Sequence, residues 1–295
     1  MPVMFTGSLT ALITPMRADG AIDAQKFQDL VRRQIDEGTS GLVPVGTTGE
    51  SPTLDHAEHE RLIDLCIEAA EGKVPVIPGT GSNSTAEAIS LTRYAAKAGA
   101  AAALLVSPYY NKPTQEGLYR HYAAIASACD IPLIIYNIPG RSIVDMSVAT
   151  MARLARDCPS VIGVKDATAK LERPLETRLA IGPDFCQLSG EDATIAAFLA
   201  QGGHGCISVT SNIAPGLCAQ LHQAWQQNDR EKFATLRDRL MPLHAALFCE
   251  SSPGPVKYAA SLLGLCEAHM RLPLTEIAED SKRQVREALV RTGLL

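Results

Sequence analysis

The chain has 295 residues, 46% of them hydrophobic and 20% charged, with a formal net charge of -5 and no long basic run. This is ordinary globular composition, of a length that one α/β barrel can occupy as a single domain, and its acidic balance speaks against a nucleic-acid surface. No apolar stretch approaches the roughly 18 residues of a membrane helix, and residues 1–5 lack the charged start and apolar core of a signal peptide. The 8 cysteines lie far apart with no C-x-x-C, as expected of reduced thiols in a cytoplasmic protein.

Short apolar runs at 9–13, 41–45, 74–78, 101–106, 133–137, 161–165, 185–188 and 205–209 predict strands. Between them, helical patterns fall at 23–37, 55–71, 85–98, 115–129, 147–157, 170–181 and 191–201. Strands alternating with helices of this length mean βαβ units and a parallel sheet, and eight at nearly regular spacing favour a (β/α)8 TIM barrel. Asp23 and Asp55 stand where helix caps belong. Gly38, Gly72 and Gly99 stand where helices end in a left-handed residue. After about residue 218 the strands stop, and 221–225, 231–248, 255–263 and 282–290 all read as helical. The expected organisation is a barrel over 1–224 and a C-terminal helical region over 225–295, packed on it without a flexible linker.

Three stretches that follow apolar runs carry candidate chemistry. Val161-Ile-Gly-Val-Lys165 ends a buried strand in a lone lysine, and strand alternation puts Gly163 and Lys165 on one face, where in a closed barrel the glycine would leave room below the ammonium. An arbitrary lysine there would be the first solvated residue after the strand. In a barrel it would sit at the C-terminal rim, where barrel enzymes place their chemistry. Gly46-Thr-Thr-Gly-Glu-Ser51 can turn tightly and gather amides and hydroxyls on a small anion; without a Walker lysine, a carboxylate is the natural ligand. Tyr136 closes another strand, and Pro139-Gly140 then presents Arg141. A tyrosine hydroxyl beside an amine can move protons, and a guanidinium suits a carboxylate. His56-Ala-Glu-His59 is neither H-E-x-x-H nor H-x-x-E-H, and reads as a polar helix start rather than a metal site. Gly79-Thr-Gly-Ser82 lacks the full dinucleotide fingerprint, and there is no G-x-S-x-G serine motif.

Taken in order with Ser107-Pro-Tyr-Tyr-Asn-Lys-Pro113 and Gly203-His-Gly-Cys-Ile-Ser208, these motifs resemble the class I, Schiff-base lyase and synthase family of pyruvate enzymes. Within it they resemble most the dihydrodipicolinate synthase branch, over nearly the whole chain. The resemblance implies a (β/α)8 barrel with C-terminal helices, no cofactor, no metal, and a Lys165 that attacks the ketone of pyruvate. The resulting enamine would condense with L-aspartate 4-semialdehyde on the way to lysine through diaminopimelate. Such an amine must be neutral to attack, which asks for an apolar site. By matching position, Thr47, Tyr136 and Tyr110 would relay protons, with Tyr110 reaching the site of a neighbouring subunit in a homotetramer built as a dimer of tight dimers. Thr48 and the turn amides would hold the carboxylate of pyruvate, Arg141 that of the semialdehyde, and Gly190 and Ile207 would line the pocket.

Sialic-acid lyases share the lysine and tyrosine but resemble Gly-Ser-Thr-Gly-Glu at the turn and lack the arginine. A partner that is a sugar acid or another 2-keto acid remains the alternative, with a non-catalytic carboxylate-binding protein behind it. Ser51, His56, His59, Asn83, Glu87 and Tyr109 match positions where some members bind L-lysine as a feedback inhibitor. One departure stands near the C-terminus, where the family often has Asn-Pro-x-Pro-x-Lys and this chain has Ser252-Pro-Gly-Pro-Val-Lys257.

Overall fold

A computed structural model describes residues 5–295; the N-terminal segment 1–4, on which the reading of a missing signal peptide partly rests, lies outside the described residues. The described chain forms two compact units, one of residues 5–6 with 75–207 and the other of residues 7–74 with 208–295. Among the described residues, no helix is long and apolar enough to cross a membrane.

In the second unit β1 (Gly7–Ala11) and β2 (Gly41–Val43) pair in parallel through α1 (Ala24–Asp36). Asp23 caps α1 by accepting from the Lys26 amide at 3.0 Å. α2 (His56–Ala70) starts in a capping box, with Asp55 accepting from the Glu58 amide and Glu58 from the Asp55 amide. Gly38, Gly72 and Gly99 all have positive φ, as their place after a helix requires.

The first unit continues with α3 (Thr85–Ala98), β3 (Ala103–Val106), α4 (Gln115–Ala128), β4 (Leu133–Asn137), α5 (Pro139–Ser142), α6 (Val148–Asp157) and β5 (Val161–Asp166). It closes with α7 (Arg173–Ile181), β6 (Cys186–Ser189), α8 (Ile195–Ala200) and β7 (Gly205–Ser208), whose last residue enters the second unit. Each of β3 to β6 pairs in parallel with the next. Leu105, Tyr122, Leu133, Ile135, Met151 and Val164 form the core between this sheet and its helices. Leu133 pairs with Val161 but Ile134 with Gly163, so Ile162 is the extra residue of a bulge. That extra residue lets Val161 and Val164 share the helix-facing core.

The strand expected at 74–78 is a correction. Among the described residues, this stretch meets β3 and the residues just before it through separate bonds, Ala101 N–H to Val76 O and Leu104 N–H to Pro78 O, both at 2.9 Å, with a bridge between Gly79 and Leu104 just beyond it. Pro75 and Pro78 carry no N–H, so a regular ladder cannot form there. The helix expected at 191–201 opens instead as a 3-10 turn, Asp192–Thr194, before α8. The C-terminal helices are α9 (Pro215–Gln226), α10 (Arg230–Ala246), α11 (Gly254–Leu262) and α12 (Glu279–Thr292), each longer than its apolar pattern or close to it.

His121 on α4 gives the first unit a pH dependence. It is 6% exposed, its Nδ1 lies 2.9 Å from Thr85 Oγ1, and its Nε2 has no partner among the described residues. Burial pulls its pKa down to about 4. The unfolded chain takes up a proton near the ordinary 6.5, which the folded chain refuses. The stability so gained is complete above about pH 6.5 and is lost as pH falls toward about 4, an effect of about 3 kcal/mol. His121→Gln is therefore expected to flatten the fall in melting temperature across that window. An unchanged slope would rule His121 out as its source.

Candidate active site

Lys165 and Tyr136 come together at the C-terminal ends of neighbouring strands. They are register partners on β5 and β4, and Lys165 Nζ lies 4.1 Å from the centroid of the Tyr136 ring. Both are enclosed, at 5% and 6% exposure. Two glycines make the packing possible. A Cβ on Gly163 would stand 2.4 Å from Cys186 O, so the missing side chain admits β6 rather than leaving room under the ammonium, as alternation alone suggests. The room for the lysine comes from Gly190, where a Cβ would stand 3.2 Å from Lys165 Cε and 2.6 Å from Ala167 Cβ. Gly190 N–H donates to Asp166 O at 2.7 Å, and continuing the β6–β7 register sets Gly190 beside the fully buried Ile207.

Behind this face runs a charge network that the sequence reading missed. Asp166, next to Lys165, accepts from Arg173 Nε at 2.9 Å and from the amide and hydroxyl of Thr168. Arg173 also donates to Met146 O at 2.9 Å and pairs with Asp145 at 3.4 Å. Asn137, next to Tyr136, donates to Asp145 at 2.8 Å and accepts the Met146 amide at 3.0 Å. The network thus joins the residues that follow the lysine and the tyrosine. Burial works to raise the Asp145 carboxyl, but hydrogen bonds from Asn137 and Lys170, with the Arg173 charge, hold it below the usual carboxylate range. Glu191, just past Gly190, was also missed; burial and the neighbouring Asp192 raise its carboxyl, while the Lys165 charge acts against them.

Arg141 lies exposed on α5, one short helix beyond Tyr136. Tyr110 is not enclosed by its own chain. It is 90% exposed, with φ at 69°, a left-handed conformation uncommon for so large a residue.

The Gly46–Ser51 turn belongs to the second unit. The amides of Gly49, Glu50 and Ser51 close it onto Gly46 O and Thr47 O at 3.1 to 3.3 Å. Among the described residues, the amides and hydroxyls of Thr47 and Thr48 make no hydrogen bond, which leaves four donors for a ligand. Thr48 is buried and Thr47 half-buried. A small carboxylate is the ligand such neutral donors suit.

The residues matched to an inhibitor site fall into two groups. Ser51, His56 and the buried His59 lie in the second unit, at the 3-10 turn and on α2. Asn83, Glu87 and Tyr109 lie in the first. There Ser82 Oγ donates to Glu87, and Asn111 Nδ2 donates to Asn83 O at 2.9 Å. Among the described residues, no group of three or more His, Cys, Asp or Glu is placed to hold a metal ion.

Comparison with known proteins gives a consistent picture. Residues 4–292 match the model of the dihydrodipicolinate synthetase family. The 4-hydroxy-tetrahydrodipicolinate synthase of Rhodospirillum centenum is 68% identical over 292 residues, covering 99% of this chain and 100% of that protein. The chloride-inhibited dihydrodipicolinate synthase of Acinetobacter baumannii, solved in complex with pyruvate, is 45% identical with a TM-score of 0.96, over 99% of this chain and 100% of the other. The enzyme of Cyanidioschyzon merolae with lysine bound is 38% identical with a TM-score of 0.96, over the same shares. The likeness carries the fold expected from the strand and helix pattern, a (β/α)8 barrel with C-terminal helices.

Proposed function

The chain belongs to the dihydrodipicolinate synthetase family, and on that premise we propose that it condenses pyruvate with L-aspartate 4-semialdehyde through a Schiff base on Lys165. The observation that carries this reading is the enclosed pairing of Lys165 with Tyr136 in a chain whose whole length follows the family.

Lys165 Nζ adds to the ketone carbon of pyruvate, and loss of water gives the imine. Loss of a methyl proton gives the enamine, whose carbon attacks the aldehyde of the semialdehyde. The amine of the semialdehyde then attacks the imine carbon and displaces Lys165, closing the ring of 4-hydroxy-tetrahydrodipicolinate. The net change joins two substrates and releases one water. Tyr136, Thr47 and Tyr110 relay the protons, Thr48 and the turn amides hold the carboxylate of pyruvate, and Gly190 and Ile207 line its pocket. The four unengaged donors of Thr47 and Thr48 support that assignment.

Tyr110, exposed on a left-handed backbone, supports completion of the site by a second copy of the chain within a homotetramer made of tight dimers. The enzyme works in the cytoplasm, where its eight free cysteines stay reduced. L-Lysine binds as a feedback inhibitor to Ser51, His56, His59, Asn83, Glu87 and Tyr109. The lysine-bound state of the relative from Cyanidioschyzon merolae supports that last reading.

Pyruvate-dependent consumption of L-aspartate 4-semialdehyde tests the substrate assignment, with cleavage of a sugar acid as the competing assay. The arginine adds a sharper test. A charge-assisted hydrogen bond to a carboxylate contributes about 1.5–3 kcal/mol, so Arg141→Ala should raise the KM for the semialdehyde on the order of 10- to 100-fold and leave that for pyruvate within about twofold. Turnover on a sugar acid alone, or an equal rise in both constants, would overturn the assignment of the aldehyde partner.

A further inference from the structure

We propose that Lys257, through a buried pair with Glu50, is a positioning residue that holds the Gly46–Glu50 turn in the shape that receives the carboxylate of pyruvate. The inference rests on the pyruvate reading above and names the device that sets that part of the site.

Glu50 closes the turn, two residues after Thr48, and is 2% exposed. Lys257, on α11, is fully buried. Its Nζ donates to Glu50 Oε1 at 2.6 Å and to Thr14 O at 2.9 Å. The other carboxylate oxygen of Glu50 accepts the backbone N–H of Arg271 at 3.2 Å. Thr14 returns a hydroxyl donor to Gly49 O at 2.7 Å, so the segment that anchors the lysine also grips the turn. The guanidinium of Arg271 secures the next stretch, donating to Thr53 O at 2.7 Å and to both oxygens of Glu58.

Two magnitudes separate positioning from plain stabilisation. The bonds that close the turn on itself are long, 3.1 to 3.3 Å, whereas two of the three that tie it from outside at Glu50 and Gly49 are 2.6 and 2.7 Å, the third, from the Arg271 amide, being 3.2 Å. The shape of the turn is therefore imposed by its neighbours. A buried ion pair is also a poor source of stability, because desolvation cancels most of its attraction, and well-packed apolar residues do as well. An apolar pair could not, however, fix Glu50 through both of its oxygens while its backbone stands at φ 60°, where a side chain is sterically disfavoured. Held in that way, Glu50 fixes the direction in which Thr47 and Thr48 present their donors.

The test compares Lys257→Met with the double variant Glu50→Gln/Lys257→Met, which leaves no unpaired charge. Three quantities are read: the pyruvate concentration for half-maximal borohydride trapping, the KM for the semialdehyde, and the melting temperature. Misplacement of a binding group by about 1 Å can cost on the order of 100-fold, so both variants should need roughly 30- to 100-fold more pyruvate. The semialdehyde KM should stay within about twofold of the native value. The double variant should recover melting temperature without recovering pyruvate affinity. Native half-saturation in either folded variant, or recovery of affinity together with melting temperature, would overturn the inference. Native protein that traps pyruvate yet ignores the semialdehyde would overturn the substrate assignment alone; native protein that traps no pyruvate would overturn both.

Discussion

Replacement of Lys165 by alanine is expected to lower turnover by at least about 10⁴-fold and to abolish pyruvate-dependent borohydride trapping, with the fold retained. The size follows from the chemistry, because without the amine no imine forms and the enamine that attacks the aldehyde has no source. No other lysine stands on β5. The removed side chain lies between the Tyr136 ring and the Gly190 backbone, so truncation leaves a small gap, and the Glu191 carboxyl, already raised by burial, loses the cation that acts against that rise. Far-ultraviolet circular dichroism and the melting temperature should therefore stay near native while activity is lost. A variant that kept more than about a hundredth of native turnover would remove Lys165 from the covalent step.

The second large effect concerns stability. Arg173 is 6% exposed and Asp166, which directly follows Lys165, is 7% exposed, and the two form a buried pair. Arg173→Met keeps most of the side-chain volume but leaves the Asp166 carboxylate buried with only Thr168 as partner, and takes the donor from Met146 O. Breaking a buried pair from one side costs about 3–5 kcal/mol, so denaturant unfolding should show a loss of that order. Adding Asp166→Asn should recover part of it, since the uncompensated charge is then gone. A loss below about 1 kcal/mol would mean that water reaches Asp166 and that the pair acts as a surface one.

How much of this was legible in the sequence depends on what carried each signal. β4 appears as expected over 133–137 and β5 ends one residue later than expected, because apolar runs closed by Asn137 and Asp166 mark buried parallel strands plainly. The run at 74–78 had the same hydropathy, and only its two prolines told against a ladder. Lys165 and Tyr136 were readable because each is the first polar group after the apolar run of its strand. Glu50 and Lys257 were not, since 207 positions separate them and each alone looks like a solvated charge. The run Pro253-x-Pro255-x-Lys257 was the available hint, but what the lysine reaches is a matter of tertiary packing. The Asp166–Arg173–Asp145 network escaped for the same reason. The glycines show a third kind of limit. Sequence assigned to Gly163 the space that the structure gives the lysine at Gly190, because alternation places a residue on a face without saying which neighbouring strand presses against it.

The most direct test of the Schiff-base assignment is peptide mass mapping after incubation with pyruvate and borohydride. The expected result is one reduced pyruvate adduct, on Lys165, whose yield falls when L-aspartate 4-semialdehyde is supplied before the borohydride. An adduct on another lysine, or none in folded native protein, would contradict it.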